Sequence, residues 1–385
     1  MSCKRVFEQI DKLNDEYIGF WADICNLESP TAYKAGVDAV GEYIIKKAKA
    51  QGWKIEIDRQ TVAGDAICIT MNPQATKSPV CLSGHMDTVH PVGTFGTPAV
   101  KIKDGKIYGP GVTDCKGGIV SAFLAMHALK NCGYTERPVK LILQSDEEVS
   151  SVTSNKATVD FMEKCAKDCV AFLNGEPSGE SYTELVIERK GIIRMVLDIT
   201  GIAAHSSACY DGASAVLEAA HKIIELEVFK DPNGLTSNCG IVNGGQTANS
   251  VPDRAQITVD FRYKTPEQRE QAVNAVKKAA ETVYVQGTSC TWYIKSERCP
   301  MVMCDRNLQL LEKIQRIYAE NGFDDVKGKS SNGGSDAGDM TSRGIPAVDS
   351  IGTSGGRIHS TEEYGDLDSL AKSAKRQAAI ILCID

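Results

Sequence analysis

The chain has 385 residues, 42% of them apolar and 24% charged, with a net charge of −7 and 14 cysteines. That length exceeds one ordinary core and points to two domains, while the acidic balance argues against nucleic acid or an anionic membrane as the main partner. No stretch approaches the ~18 apolar residues of a spanning helix, residues Met1 to Lys12 lack the uninterrupted apolar core of a secretory signal, and the cysteines show no paired spacing, so reduced thiols in the cytosol are expected.

In chain order, apolar spacing predicts helices over 3–27 and 34–51, separated by Glu28-Ser29-Pro30-Thr31, where proline stops a helix. Strands are predicted at 54–58, 66–71 and 79–83, followed by a Gly/Pro-rich irregular loop from Asp104 to Gly118 and a helix from Ile119 to Lys130. A buried strand at 139–145, a helix at 153–166 and a strand at 169–173 complete an α/β pattern with a mostly parallel sheet. The middle changes texture. Its order is strand 192–200, helix 212–228, strands 239–242 and 255–263, helix 266–284 and strand 289–295, that of a ferredoxin-like α+β domain. Beyond 300 the α/β texture returns as helix 306–320, a Gly/Ser-rich loop from Ser330 to Gly338, strand 346–351 and helix 366–384. We therefore expect a discontinuous catalytic domain, 1–188 with 301–385, interrupted by an inserted domain at 189–300.

Three successive strands of the first domain end in polar clusters: His85/Asp87, Asp146/Glu147/Glu148 and Asn174/Glu176. Asp114 sits in the loop after the first, and His359 in the last loop of the chain. The carboxyl edge of an open α/β sheet is where ligands bind, so these groups are expected to converge. In an extended segment Asp87 lies on the same side as His85 and is placed to accept a bond from its ring. Several carboxylates meeting at one point repel, and divalent cations are the usual remedy. Two histidines with three carboxylates suit zinc in an open hydrolytic site, with manganese or cobalt as substitutes. His127, on an apolar helix, reads as a satisfied core residue, and His90 as lining the rim of the site.

The runs Gly84-His-Met-Asp-Thr-Val, Tyr108-Gly-Pro-Gly-Val-Thr-Asp-Cys-Lys-Gly-Gly, Ser145-Asp-Glu-Glu, Gly175-Glu-Pro-Ser, Ile199-Thr-Gly-Ile-Ala-Ala-His-Ser and Asp260-Phe-Arg-Tyr, in this order across nearly the whole chain, resemble the dinuclear-zinc aminoacylase/carboxypeptidase family. The branch that looks most similar is the glutamate carboxypeptidase (carboxypeptidase G) type. The resemblance implies two divalent ions per subunit: His85 and Glu176 on one, Glu148 and His359 on the other, Asp114 bridging them, and Asp87 orienting His85. Glu147 would be the general base for a metal-activated water attacking an amide beside a free α-carboxylate, in a dipeptide, a C-terminal residue or an N-acyl amino acid.

The inserted domain would serve as lid and homodimer interface, its His205 reaching the partner subunit's site to stabilise the oxyanion. Asn249, Arg262 and Arg298 would hold the substrate carboxylate, and Gly333, Gly334 and Gly338 would form a backbone-lined substrate loop. Two departures stand out. Cys115 replaces the acid that often follows the bridging aspartate, at a junction often cis in the family. Glu184 stands near the place where glutamate-specific relatives have a basic residue, a departure that counts against carrying glutamate specificity over from the likeness. The same residue set would also serve a biosynthetic deacylase of the acetylornithine or succinyl-diaminopimelate type. A catalytically inactive metal-dependent binding protein is the remaining alternative, and an intact Glu147 beside five presumed ligands speaks against it.

Overall fold

The apolar runs of the first half pair into one six-stranded sheet, in the order Lys54–Asp58, Ala66–Met71, Val139–Gln144, Val80–His85, Ala171–Asn174, Ala347–Val348. The last four are mutually parallel, and the first two join antiparallel at one edge. All six residues of Val80–His85 are buried, as expected of a strand covered on both faces. The cover comes from helices Cys3–Asn26, Lys34–Ala50, Gly117–Asn131 and Ser369–Cys383. Gly117–Asn131 is apolar nearly all round and buried over most of its length, a central helix rather than an amphipathic one.

The computed structural model describes residues 1–179 and 182–385, which fall into two units. The first comprises Met1–Glu188, Met303–Ser331 and Ser335–Asp385; the second comprises Arg189–Val302 with Asn332–Gly334. In the second unit four antiparallel strands run in the order Thr236–Gly244, Arg254–Tyr263, Gly191–Thr200, Ser289–Arg298. Helices Ala215–Leu226 and Pro266–Glu281 pack on them through Ile193, Met195, Leu197, Ile257, Val259 and Phe261. Both helices start on side-chain caps: Ser214 accepts the Leu217 N–H, and Thr265 accepts the Gln268 N–H ahead of a proline in the first turn. No helix among the described residues is long and apolar enough to cross a membrane.

Three expectations needed revision. The helix foreseen from 153 starts only at Ala157, because Ser150, Ser151, Asn155 and Lys156 all take positive φ, which a right-handed helix excludes. The loop foreseen at 330–338 is partly regular. Strand Lys327–Ser331 precedes it, and helix Asp336–Ser342 begins where Ser335 Oγ accepts the Ala337 N–H at 3.2 Å. Within the loop foreseen at 104–118, Lys101–Lys103 and Lys106–Tyr108 form a hairpin around Asp104-Gly105, both at positive φ. An Asp-Gly pair between short strands is a readable turn signal, and it was missed.

Glycines matter where three backbones meet beneath the carboxyl edge of the sheet. A Cβ on Gly118 would lie 2.0 Å from the Gly175 carbonyl oxygen, and one on Gly352 2.2 Å from the same atom. Side chains there would push the central helix and the last loop off the strand exit that carries Glu176.

Candidate metal centre

All seven residues that sequence placed in the catalytic part lie in the first unit, and the fold brings them together at that edge. The four parallel strands end in register: His85 lies opposite Gln144, Ser83 opposite Asn174 and Leu173 opposite Val348. The segments beyond those ends deliver the polar groups.

Asp114 is the centre. Its Oδ1 lies 3.1 Å from His85 Nε2, and its Oδ2 lies 3.2 Å from His359 Nε2. On the first side Glu176 Oε1 is 3.7 Å from His85 Nε2; on the second Glu148 Oε2 is 3.3 Å from His359 Nε2. One carboxylate thus faces two His/Glu pairs, one through each oxygen.

These groups perturb one another strongly. Burial opposes ionisation of Asp114, but the two histidines hold its carboxyl well below the usual range. Burial together with the Asp114 charge pushes Glu176 well above its ordinary value, and burial raises Glu148 to about 7. Hydrogen bonds to Asp114 and Glu148 raise His359 to about 10. His85, Asp114 and Glu148 stand close enough to share an ion, and such imidazole and carboxylate donors suit divalent zinc, manganese or cobalt.

Asp87 does more than orient a ring. His85 Nδ1 lies 3.0 Å from the main-chain oxygen of Asp87 and 3.4 Å from its carboxylate. The fully buried carboxylate also accepts the N–H groups of Glu147 (3.1 Å) and Glu148 (3.2 Å) and the Thr31 hydroxyl (2.7 Å). It therefore fixes both the histidine and the turn that presents the two glutamates. Their neighbour Asp146 turns away and caps the next segment through Ser154 N and Thr158 Oγ1, both at 2.8 Å.

The peptide between Asp114 and Cys115 is cis. Cys115 Sγ accepts the His85 N–H at 3.0 Å, and burial pushes the thiol up, so it behaves as a packing residue. Lys116, also fully buried, donates to the carbonyls of Ile24 and Leu27 at 3.1 Å each, closing the carboxyl end of the first helix.

Sequence reasoning missed Glu363. It is 1% exposed and accepts the N–H groups of Gly111, Thr113 and Asp114 at 3.3, 3.0 and 3.1 Å, with His90 Nε2 at 3.2 Å. His90 is thus a buried partner of this carboxylate and not a rim residue. His127 meets Tyr17 Oη at 2.8 Å within the core. Replacing Glu363 by alanine leaves three main-chain donors without their acceptor. We expect a stability loss of about 3 kcal/mol or more, read as a lowered denaturation midpoint, together with weaker metal retention.

The remaining candidates lie in the second unit. His205 lies on a two-stranded ladder opposite Ser250, and Asn249 adjoins its end, its carbonyl accepting from Ser206 N at 3.0 Å. The His205 ring is exposed and lies 2.8 Å from Ser207 Oγ. Arg262 and Arg298 flank Ile192 on adjacent strands. Arg262 is paired with Asp260 at 2.6 Å, and Arg298 is 1% exposed. A Cβ on Gly334 would lie 2.9 Å from Ile192 and 3.0 Å from Arg298, so this glycine permits close approach to both.

The sequence profile described as Peptidase family M20/M25/M40 matches residues 81–382. The chain is 25% identical over 365 residues to carboxypeptidase G2 of Pseudomonas sp. (strain RS-16), covering 93% of this chain and 87% of that one. It is 28% identical over 274 residues to acetylornithine deacetylase of Myxococcus xanthus, covering 64% and 68%. The structure of aminopeptidase PepT from Bacillus cereus superposes with a TM-score of 0.77 at 25% identity, over 96% of this chain and 98% of that one.

Proposed function

The chain belongs to peptidase family M20/M25/M40 and is a metal-dependent hydrolase of amide C–N bonds, and on that premise we propose that it cleaves a peptide or N-acyl amino acid bond beside a free α-carboxylate. The observation that carries this reading is Asp114, each oxygen of which faces its own His/Glu pair. His85 with Glu176 would hold one divalent ion and His359 with Glu148 the other, Asp114 spanning both, with zinc the best match to the donors. Bound there, the ions supply Lewis-acid activation of the attacking water and of the scissile carbonyl. Glu147, on the turn fixed by Asp87, takes the water's proton on its carboxylate and passes it to the departing nitrogen. Arg262, Arg298 and Asn249 receive the substrate carboxylate, the arginine fork matching its two oxygens, while the glycine at 334 leaves the backbone accessible. His205 of one subunit would donate to the developing oxyanion in the other subunit's site.

The second unit also supports self-association as a homodimer. Helix Ala215–Leu226 exposes Leu217 (52%) and Ile224 (72%), and the edge strand Thr236–Gly244 exposes Ile241 (52%) and Val242 (48%). Such apolar surface on a polar fold is characteristic of an interface. All 14 cysteines are free thiols, as suits a reducing cytosol. A second reading, a biosynthetic deacylase, is favoured by the likeness to acetylornithine deacetylase of Myxococcus xanthus.

Protein stripped by a chelator and reloaded with zinc, assayed against dipeptides, C-terminally extended peptides and N-acyl amino acids, tests the proposal. We expect no turnover in the stripped form, recovery with close to two ions per chain, and loss of cleavage when the substrate carboxylate is amidated. Equal cleavage of the amidated substrate would remove the carboxylate requirement.

A further inference from the structure

Beside Glu148 the first unit opens into a groove of about 530 Å³ whose walls are apolar: Pro30, Ala32 and Tyr33 on one side, Val89, Pro91 and Val92 on the other. Its volume suits a side chain or a small acyl group. Tyr33, Val89 and Val92 stay 48%, 40% and 57% exposed, a cluster of large apolar surface left open among the described residues.

Both walls are built. Residues 29–31 are sewn to the exit of the strand Val80–His85: Thr31 N donates to the Thr88 carbonyl (3.2 Å), Thr88 N to the Ser29 carbonyl (2.9 Å) and Ser29 Oγ to the Met86 carbonyl (2.7 Å). The opposite wall is tied back by Gly93 N, which donates to both Glu28 carboxylate oxygens at 2.9 and 3.1 Å. The groove is therefore held open by the main chain that also carries His85 and Asp87. Glu148, the one carboxylate in its lining, belongs to the cluster around Asp114.

We propose that this groove binds the acyl side of the substrate and selects uncharged aliphatic or aromatic groups there. The proposal rests on the amide-hydrolase reading above and deepens it. The assignment to the acyl side follows from charge. No lining residue is cationic, so the groove has nothing to hold the free α-carboxylate, whose candidate partners Asn249, Arg262 and Arg298 all lie in the second unit. A carboxylate carried on the acyl group would meet Glu148 and a mostly apolar wall, and a lysine ammonium would give up its hydration with Glu148 as its one charged partner. An isobutyl or benzyl group would displace water from surface that is otherwise exposed.

The test uses zinc-loaded enzyme and dipeptides sharing one C-terminal residue, with glycine, leucine, phenylalanine, aspartate or lysine on the acyl side. We expect kcat/KM for leucine and phenylalanine to exceed that for glycine by about tenfold or more, and aspartate and lysine to fall below glycine. In Val92→Asp and Tyr33→Ala, both at exposed positions, the leucine-to-glycine ratio should collapse towards one. Calorimetric binding of acetate, hexanoate and phenylacetate gives a readout without turnover, with the longer acids expected to bind about tenfold more tightly than acetate and the difference lost in Val92→Asp. A flat series in both assays, or variants that lower every substrate alike, overturns the groove assignment. Preferential binding of the longer acids with no hydrolysis of any amide would sustain the groove and overturn the hydrolase reading instead.

Discussion

Glu147→Gln is expected to lower kcat by about 10³- to 10⁴-fold while metal content and the unfolding midpoint stay at wild-type values. The expectation follows from how the residue is held. Its main-chain N–H is anchored on Asp87, so exchanging a carboxylate oxygen for an amide leaves the turn and the adjacent Glu148 in place. What disappears is the capacity to accept a proton. Turnover with the best substrate, elemental analysis and thermal denaturation of the same preparation check it together. A variant within tenfold of wild type would remove Glu147 from the proton-transfer role.

Asp114→Asn should have a different signature: metal affinity falls by at least about 100-fold and activity is lost with it. Both histidines face this carboxylate and they hold it charged, so its replacement removes the group that stays negative where its neighbours take up protons. The same logic gives the pH dependence of the wild type. Burial lifts Glu148 to about 7, and its carboxylate partners lift His359 to about 10. Both must shed protons to act as ligands, so protons compete with the metal more strongly as pH falls. Affinity should drop between pH 8 and pH 6, by up to about tenfold per unit for each proton displaced, measured by chelator competition. Affinity that rises on acidification would contradict the ligand set.

The parts of this site that the sequence made legible are those fixed by strand ends. His85, Glu147, Glu148 and Glu176 follow short apolar runs, and parallel strands in register must bring such ends to one edge, which they do. Other parts left no local trace. Glu363 bonds to main-chain N–H groups some 250 residues earlier, and a backbone donor looks the same whatever residue bears it. The job of Asp87 in fixing the 147–148 turn was hidden for the same reason; only its link to His85 lies within two residues. Arg262 offers itself equally as a carboxylate receptor and as the partner of Asp260, two residues away on its own strand, and the ion pair is the state seen. The 150–156 turns escaped notice because Ser and Lys rarely take positive φ, so nothing local announces it, and Asp146, binding Ser154 and Thr158, holds the segment in that course.

The first unit is broken in sequence, leaving at Glu188 and resuming at Met303, and its last pieces include His359 and the helix Ser369–Cys383, which packs on Cys3–Asn26 and Gly117–Asn131. That helix is locked into place late in the chain: Gln377 Nε2 reaches Ser121 Oγ at 2.9 Å, and the Ile381 carbonyl accepts Tyr134 Oη at 3.1 Å. A ribosome making this protein has therefore finished four of the five candidate ligands by position 176, and then adds more than 180 other residues before the fifth appears. A nascent chain carries four of the five candidate ligands through nearly half of its synthesis, and gains the last only when the layer that closes its core is about to emerge.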